Sequence, residues 1–283
     1  MLSTRCRAGW RLAALGSALA SGAIRFTLNP RHRRDATTKA AWLQGVCRRI
    51  MKVMAIRPIE TGVCSPGALI ACNHLSYLDI VVLSALAPVV FVAKKEVRAW
   101  PIFGWFAEKA GTRFIDRGRR GDVIRIATDL TPLIERGISV VVFLEGTSTD
   151  GRTVLPFKSS LLEPAVHAKW PAAAAALTYS VPSPRSAELE VCWWGDMTLT
   201  PHLVNLATLP WIEVRVAWDE AETGGGDRRW RNYCVLGCSH SKAVWPHFVL
   251  PEGNEPGCCR SRHIPFLNAA SPSSHCGSHS RVS

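Results

Sequence analysis

Long apolar runs are missing from this sequence. The nearest, 12–24, is thirteen residues of mostly small side chains between Arg11 and Arg25. It is too short to span a bilayer, which takes about twenty apolar residues, and long enough to lie along one face of it. Acid is scarce at the start: residues 1–57 hold twelve Lys or Arg against Asp35 alone, so they carry +11 of the chain's net +12. A basic segment beside a nearly neutral remainder suits an acidic surface, either anionic lipid or nucleic acid, unless it is a solvated arm. Aromatics interleaved with the basic residues and a known nucleic-acid-binding fold are both lacking, which argues against nucleic acid. Gly-x-Ser-x-Gly is absent as well, so a serine on that type of strand-to-helix elbow is excluded.

Cysteine is plentiful, at ten residues, but poorly arranged for a disulfide scaffold. Cys6, Cys47, Cys64, Cys72 and Cys192 lie singly in apolar segments, and the other five fall in the last fifty residues. The core is therefore read as reduced and facing the cytosol. Tail residues such as Cys234, Cys238, His240 and His247 fit no standard zinc spacing, and no metal is expected. A hydrophobic fraction of 47% with 20% charged residues indicates a globular core.

Three regions follow. Residues 1–57 form a basic segment that would associate with a membrane. After the run at 12–24, the residues Trp42, Leu43, Val46, Ile50, Val53 and Met54 recur at helical spacing within 35–56, with Arg48, Arg49 and Lys52 on another face. That helix suits either a membrane surface or a core with solvated charges. Residues 58–220 alternate short strands and helices. Strands are expected over 68–72, 89–93, 113–116, 139–144, 173–179, 189–194 and 212–218, and helices over 76–86, 96–110, 121–136, 160–168 and 201–208. This predicts an α/β fold with a mixed, largely parallel sheet flanked by helices, and ligands gathering at strand ends. Residues 221–283, opened by Gly224-Gly225-Gly226, show no periodicity and read as an irregular, disordered tail.

The first chemical candidate is Asn73-His74-Leu75-Ser76-Tyr77-Leu78-Asp79, directly after a strand. His74 falls in the turn before a helix, and Asp79 on the first helical turn can reach back to one ring nitrogen, leaving the other to take a proton. The competing reading is that Ser76 and Asp79 only cap the helix. No serine or cysteine nucleophile is well placed beside His74, since Cys72 belongs to the apolar strand. A base without a protein nucleophile implies a hydroxyl on the substrate and an already activated acyl group. Gly111-Thr112-Arg113-Phe114-Ile115-Asp116-Arg117 is a strand ending in charge, where a guanidinium suits a phosphate. Arg119 and Arg120 read equally as a solvated loop. In Phe143-Leu144-Glu145-Gly146-Thr147-Ser148, a buried strand runs into an acid, a glycine and hydroxyl residues, with Lys158 following. Gly146 would let backbone N–H groups approach an anion, and Thr147 adds a donor.

These segments, in this order, resemble the glycerolipid (lysophospholipid) acyltransferase family over about residues 40–218. The resemblance implies a glycerol-3-phosphate acyltransferase-like fold, with His74 as general base and Asp79 orienting it. It also implies that Arg117 binds the acceptor's phosphate, with Asn73, Gly111, Phe114, Glu145, Gly146, Thr147 and Lys158 lining the acceptor site. The reaction it implies moves a fatty acyl group from acyl-CoA or acyl carrier protein to 1-acylglycerol-3-phosphate, giving phosphatidic acid. That reaction needs no cofactor and takes place at the cytoplasmic face of an anionic membrane. Two positions depart from the family: Leu144 stands where it usually has Pro, and Ser148 where it often has Arg. The second removes a phosphate contact and leaves another lysolipid acceptor, such as lyso-ornithine lipid, open. A fourth motif is matched loosely by residues 176–182.

Overall fold

Helix α2 (Ala36–Met54) shows how local signals set an element. Asp35 accepts a hydrogen bond from the Thr38 N–H at 2.8 Å while the Thr38 hydroxyl accepts from the Asp35 N–H, a closed capping box. At the other end Ala55 takes the left-handed conformation, with φ 53°, and stops the helix. This computed structural model describes residues 4–221 apart from 117–119, 159–161, 163–164 and 166–167. Arg117, Arg119, most of the helix expected over 160–168 and the tail beyond 221 lie outside the described residues.

The remaining elements in chain order begin with α1 (Thr4–Leu28), which precedes α2. After α2 come β1 (Ile56–Thr61), β2 (Leu69–Cys72), α3 (Leu78–Leu86), β3 (Val89–Lys94), α4 (Phe103–Ala110) and β4 (Arg113–Ile115). Then follow α5 (Arg120–Glu135), β5 (Ser139–Phe143), β6 (Ala172–Ser180), α6 (Leu199–Thr208) and β7 (Ile212–Trp218). The strands form one seven-stranded sheet in the order β1-β7-β6-β2-β5-β3-β4. All neighbours are parallel except β6 and β7.

Both faces of the sheet are covered, as a parallel sheet requires. Ile70, Cys72, Val141 and Phe143 point into a core built with α2, α3 and α6. The alternate residues Leu69, Ala71, Val140 and Val142 meet Ile126, Leu130, Leu133 and Ile134 of α5. Gly137, at φ +78°, ends α5 where a left-handed residue is needed.

Three expectations change. Strand β1 is not among the expected strands, and only its first residue, Ile56, falls within the helix expected over 35–56. Only Ile56 of its six residues is buried, so it carries no alternation, and Pro58 marks it as an edge strand. Residues 189–194 are not a strand: the first two close a single helical turn, Ala187–Glu190, which leaves Leu189 60% exposed. The helix expected over 96–110 is divided into a 3-10 turn, Lys95–Ala99, and α4, because Pro101 interrupts it.

The basic segment is also used differently from its charge pattern. The apolar stripe of α2, including Trp42, Val46 and Ile50, lies in the core rather than facing outward. Helix α1 crosses α2 so closely at Gly22 that a Cβ there would meet Val46 Cγ2 at 2.7 Å. Arg11 is buried and donates to the carbonyls of Ala207, Leu209 and Pro210, and Arg7 donates to Thr208 O at 3.1 Å. These two arginines cap the C-terminal end of α6, where carbonyls have no intrahelical partner. Arg48 does the same for α3, donating to Ala85 O at 2.9 Å.

Candidate active site

Where β2 ends at Cys72, the chain leaves the sheet through Asn73, whose side chain behaves like one more strand residue. Its Nδ2 donates to Leu177 O at 3.0 Å and its Oδ1 accepts from Leu177 N at 2.8 Å. Both ends of this buried amide are therefore engaged by β6. Asn73 is a strut for the site and not the acceptor contact that the sequence suggested.

His74 comes next. Its Nδ1 lies 2.8 Å from Asp79 Oδ2. An ionised carboxylate only accepts, which assigns the ring proton to Nδ1 and leaves Nε2 with a lone pair. The ring stacks flat on Phe143, with centroids 4.0 Å apart and planes at 16°. The His74 side chain is 19% exposed while that of Asp79 is fully buried. The ring can thus meet a substrate and its partner cannot.

Asp79 sits on the first turn of α3 and accepts three further bonds. Leu75 N–H and Ser76 N–H donate to Oδ2 at 2.7 and 3.0 Å, and the Tyr179 hydroxyl donates to Oδ1 at 2.8 Å. One Asp79 oxygen thus serves both the loop amides ahead of α3 and the imidazole.

Glu145, after β5, is 2% exposed and fixes the loop around His74. Its Oε1 accepts from His74 N and its Oε2 from Leu155 N, each at 2.9 Å. Burial pushes its carboxyl pKa up, and the two amide donors pull the other way. The glutamate shapes the site from beneath and does not present itself to an acceptor. Thr149 N donates to His74 O at 3.0 Å. The Ser148 hydroxyl is turned to Trp193 O, and Trp193 N donates to Leu75 O at 2.8 Å.

The other expected residues fall at varying distances along the sheet. Gly146 turns the chain at φ +77°, and Thr147 and Lys158 have exposed side chains beyond it. Gly111, at φ +89°, ends α4 ahead of β4, which stands three places from β2 in the sheet. Its visible task is to let the helix stop. Phe114 is half-buried on β4 with the Arg98 guanidinium 5.9 Å from its ring centre. Arg117, just past that strand, lies outside the described residues.

Burial raises the Cys72 thiol well above its usual range, so it does not act as a nucleophile beside His74. Sequence reading missed three contributors: Phe143 as the platform for the ring, Trp193 as a loop tie, and Tyr179 as a partner of Asp79. Only a tyrosine near the end of an alanine-rich strand hinted at the last.

Comparison with known proteins gives these features a family. The Acyltransferase family pattern matches residues 49–178. The lyso-ornithine lipid O-acyltransferase of Brucella abortus is 39% identical over 163 residues, covering 54% of this chain and 61% of that protein. The protein of the same name from Rhodobacter capsulatus is 32% identical over 219 residues, covering 74% and 78%. The 1-acyl-sn-glycerol-3-phosphate acyltransferase of Neisseria meningitidis is 37% identical over 141 residues, covering 47% and 55%. The chain thus spans less than two thirds of the Brucella and Neisseria relatives. The crystal structure of the 1-acyl-sn-glycerophosphate acyltransferase of Thermotoga maritima shares the fold, with TM-score 0.55 at 17% identity over 78% of this chain and 90% of that one. A sheet of this order with His74 and Asp79 paired after β2, together with a relative matched over most of both lengths, shows that the chain belongs to the acyltransferase family.

Proposed function

We propose that this protein moves a fatty acyl group from an acyl thioester, acyl-CoA or acyl carrier protein, to the free hydroxyl of a lysolipid. The observation that carries this reading is the 2.8 Å contact between His74 Nδ1 and Asp79, which leaves Nε2 on an accessible ring. In the reaction Nε2 takes the hydroxyl proton as the oxygen attacks the thioester carbonyl. Asp79 stabilises the imidazolium, the C–S bond breaks, and the imidazolium returns its proton to the departing thiolate. Binding and attack need no covalent enzyme intermediate.

Lyso-ornithine lipid is the favoured acceptor. Several relatives carry that name. The position where the broader family often has Arg holds Ser148, whose hydroxyl is already engaged by Trp193 O. A 1-acylglycerol-3-phosphate acceptor is the second reading, supported by the Neisseria relative and by the exposed side chain of Lys158. Work at a membrane surface fits the outward face of α1. There Trp10, Ile24 and Leu28 are 62%, 55% and 77% exposed, and no charge separates Arg11 from Arg25. No helix among the described residues is long and apolar enough to cross a membrane.

The test incubates full-length protein and labelled acyl-CoA with both acceptors in mixed micelles and identifies products by mass. Diacylated ornithine lipid as the main product supports the favoured acceptor, and phosphatidic acid would move the assignment to the second. Wild-type turnover by His74→Ala would end the reading altogether.

A further inference from the structure

Strand β6 is longer than its neighbour. Its parallel pairing with β2 ends at Cys72↔Ala175, yet it continues to Ser180. The overhang is held on its far side by β7, through Leu177↔Val216 and Tyr179↔Val214, and on its near side by the Asn73 amide. This stretch has no helix or turn preference of its own to aim a side chain, so the two clamps decide where residue 179 points. It points at the catalytic pair: the phenol donates to Asp79 Oδ1 at 2.8 Å.

The donors on Asp79 are unevenly divided. Three of them, the imidazole and two loop amides, converge on Oδ2, and Tyr179 is the one partner of Oδ1 among the described residues. A carboxylate that is fully buried keeps its charge only if its lone pairs are satisfied. Rotation about Cβ–Cγ would exchange the two oxygens and break the contact with His74, and a donor fixed to Oδ1 opposes that rotation. We propose that Tyr179 is a positioning residue for the acyl transfer, holding the Asp79 carboxylate so that Oδ2 stays on His74 throughout proton transfer. Burial, with the Asp79 charge beside it, pushes the phenol's own ionisation well above its usual value, so it remains a donor at every working pH. This inference rests on His74 acting as the base.

The experiment compares wild type, Tyr179→Phe, Asp79→Asn, the double variant and His74→Ala, all full length, with acyl-CoA and a lysolipid in mixed micelles. Phe keeps the ring and loses the donor. Tyr179→Phe should lower kcat about tenfold, the scale of one charge-assisted hydrogen bond, with both KM values within about twofold of wild type. The acid limb of its kcat/KM profile should move to higher pH, because a carboxylate relieved of the phenol pairs more strongly with the imidazolium. Glu145, the other carboxyl facing His74, is the same in both proteins, and the nearby Cys72 and Cys192 thiols are pushed up by burial, Cys192 to about 12. The difference between the profiles therefore reports the phenol. In the Asp79→Asn background the same change should cost clearly less than its roughly tenfold effect in wild type, since only a neutral amide contact to the Tyr179 oxygen is lost there.

Equal kcat and an unmoved acid limb in Tyr179→Phe would overturn the inference, as would an undiminished tenfold loss on top of Asp79→Asn. If the Phe variant melts early, replacing tyrosine by 3-fluorotyrosine gives the second measurement. The stronger donor should move the acid limb to lower pH, and an unchanged limb would count against the proposal. Wild-type turnover by His74→Ala would remove the underlying reaction. Loss of turnover there with a normal Tyr179→Phe would remove the inference alone.

Discussion

Asp79→Asn separates the charge of the carboxylate from its geometry. Asn is nearly the same size, and the structure says how it will sit. Its amide oxygen takes the Oδ2 position, where Leu75 N–H, Ser76 N–H and His74 Nδ1 all donate, and its NH2 turns to the Tyr179 oxygen, which can accept. The imidazole therefore keeps its tautomer and orientation, and what disappears is the negative charge facing the imidazolium. Two unit charges about 4 Å apart at an effective dielectric constant near 20 interact by about 4 kcal/mol. At 1.36 kcal/mol per decade that is roughly a thousandfold in kcat. The assay follows thiol release from acyl-CoA at saturating lysolipid, with thermal melting of the same preparations. The expected result is a loss of roughly a thousandfold with the melting temperature nearly unchanged, since the two capping amides keep their acceptor. A loss below about tenfold would show that the charge does not matter to the chemistry. A collapse of folding with normal activity per folded molecule would make Asp79 a helix cap and nothing more.

Arg11→Ala should destabilise the fold by about 2–4 kcal/mol in urea unfolding, because a buried guanidinium that serves three carbonyls at the end of α6 is lost. Arg5→Ala, with an exposed side chain, should change little, and equal effects of the two would refute the capping role. His202 titrates inside the fold: the Tyr77 hydroxyl donates to Nδ1 at 3.0 Å, Nε2 donates to Cys192 O at 3.1 Å, and burial lowers the ring's pKa. A lowered folded-state pKa gives stability that is present above the unfolded value of about 6.5 and is lost as pH falls through the folded one. The melting-temperature gap between wild type and His202→Gln should narrow from pH 7.5 to 5, and a constant gap would refute this.

The pair His74 and Asp79 could be read from sequence because their contact is local, spanning five residues across one turn. The strands β2, β3, β5 and β7 could be read because burial on one or both faces writes itself as apolar runs or alternation. Strand β1 could not, since five of its six residues are exposed and its one buried residue continues the stripe of α2. Asn73 and Glu145 were recognised as site residues but given the wrong direction. Residue type cannot say whether an amide faces a ligand or the Leu177 backbone 104 residues away. Arg7 and Arg11 show the same limit: they look like charges for a membrane until carbonyls about 200 residues later are seen to meet them.

These misdirected residues share a logic. Parallel strands end together, so the loops after β2 and β5 and the overhang of β6 meet at the carboxyl end of the sheet. Each contributes one side chain that reaches inward: Asp79 from the helix after β2, Glu145 from β5 and Tyr179 from β6. Their acceptors and donors are almost wholly consumed by one another and by backbone amides. A site in which the supporting polar groups already satisfy each other holds its geometry before any substrate arrives, which is what a base without a protein nucleophile requires. The imidazole, stacked on Phe143 and steadied at Nδ1, stays 19% exposed, whereas Asp79 and Glu145 are buried. Ser148 and Trp193, tied to each other and to Leu75, border this cluster.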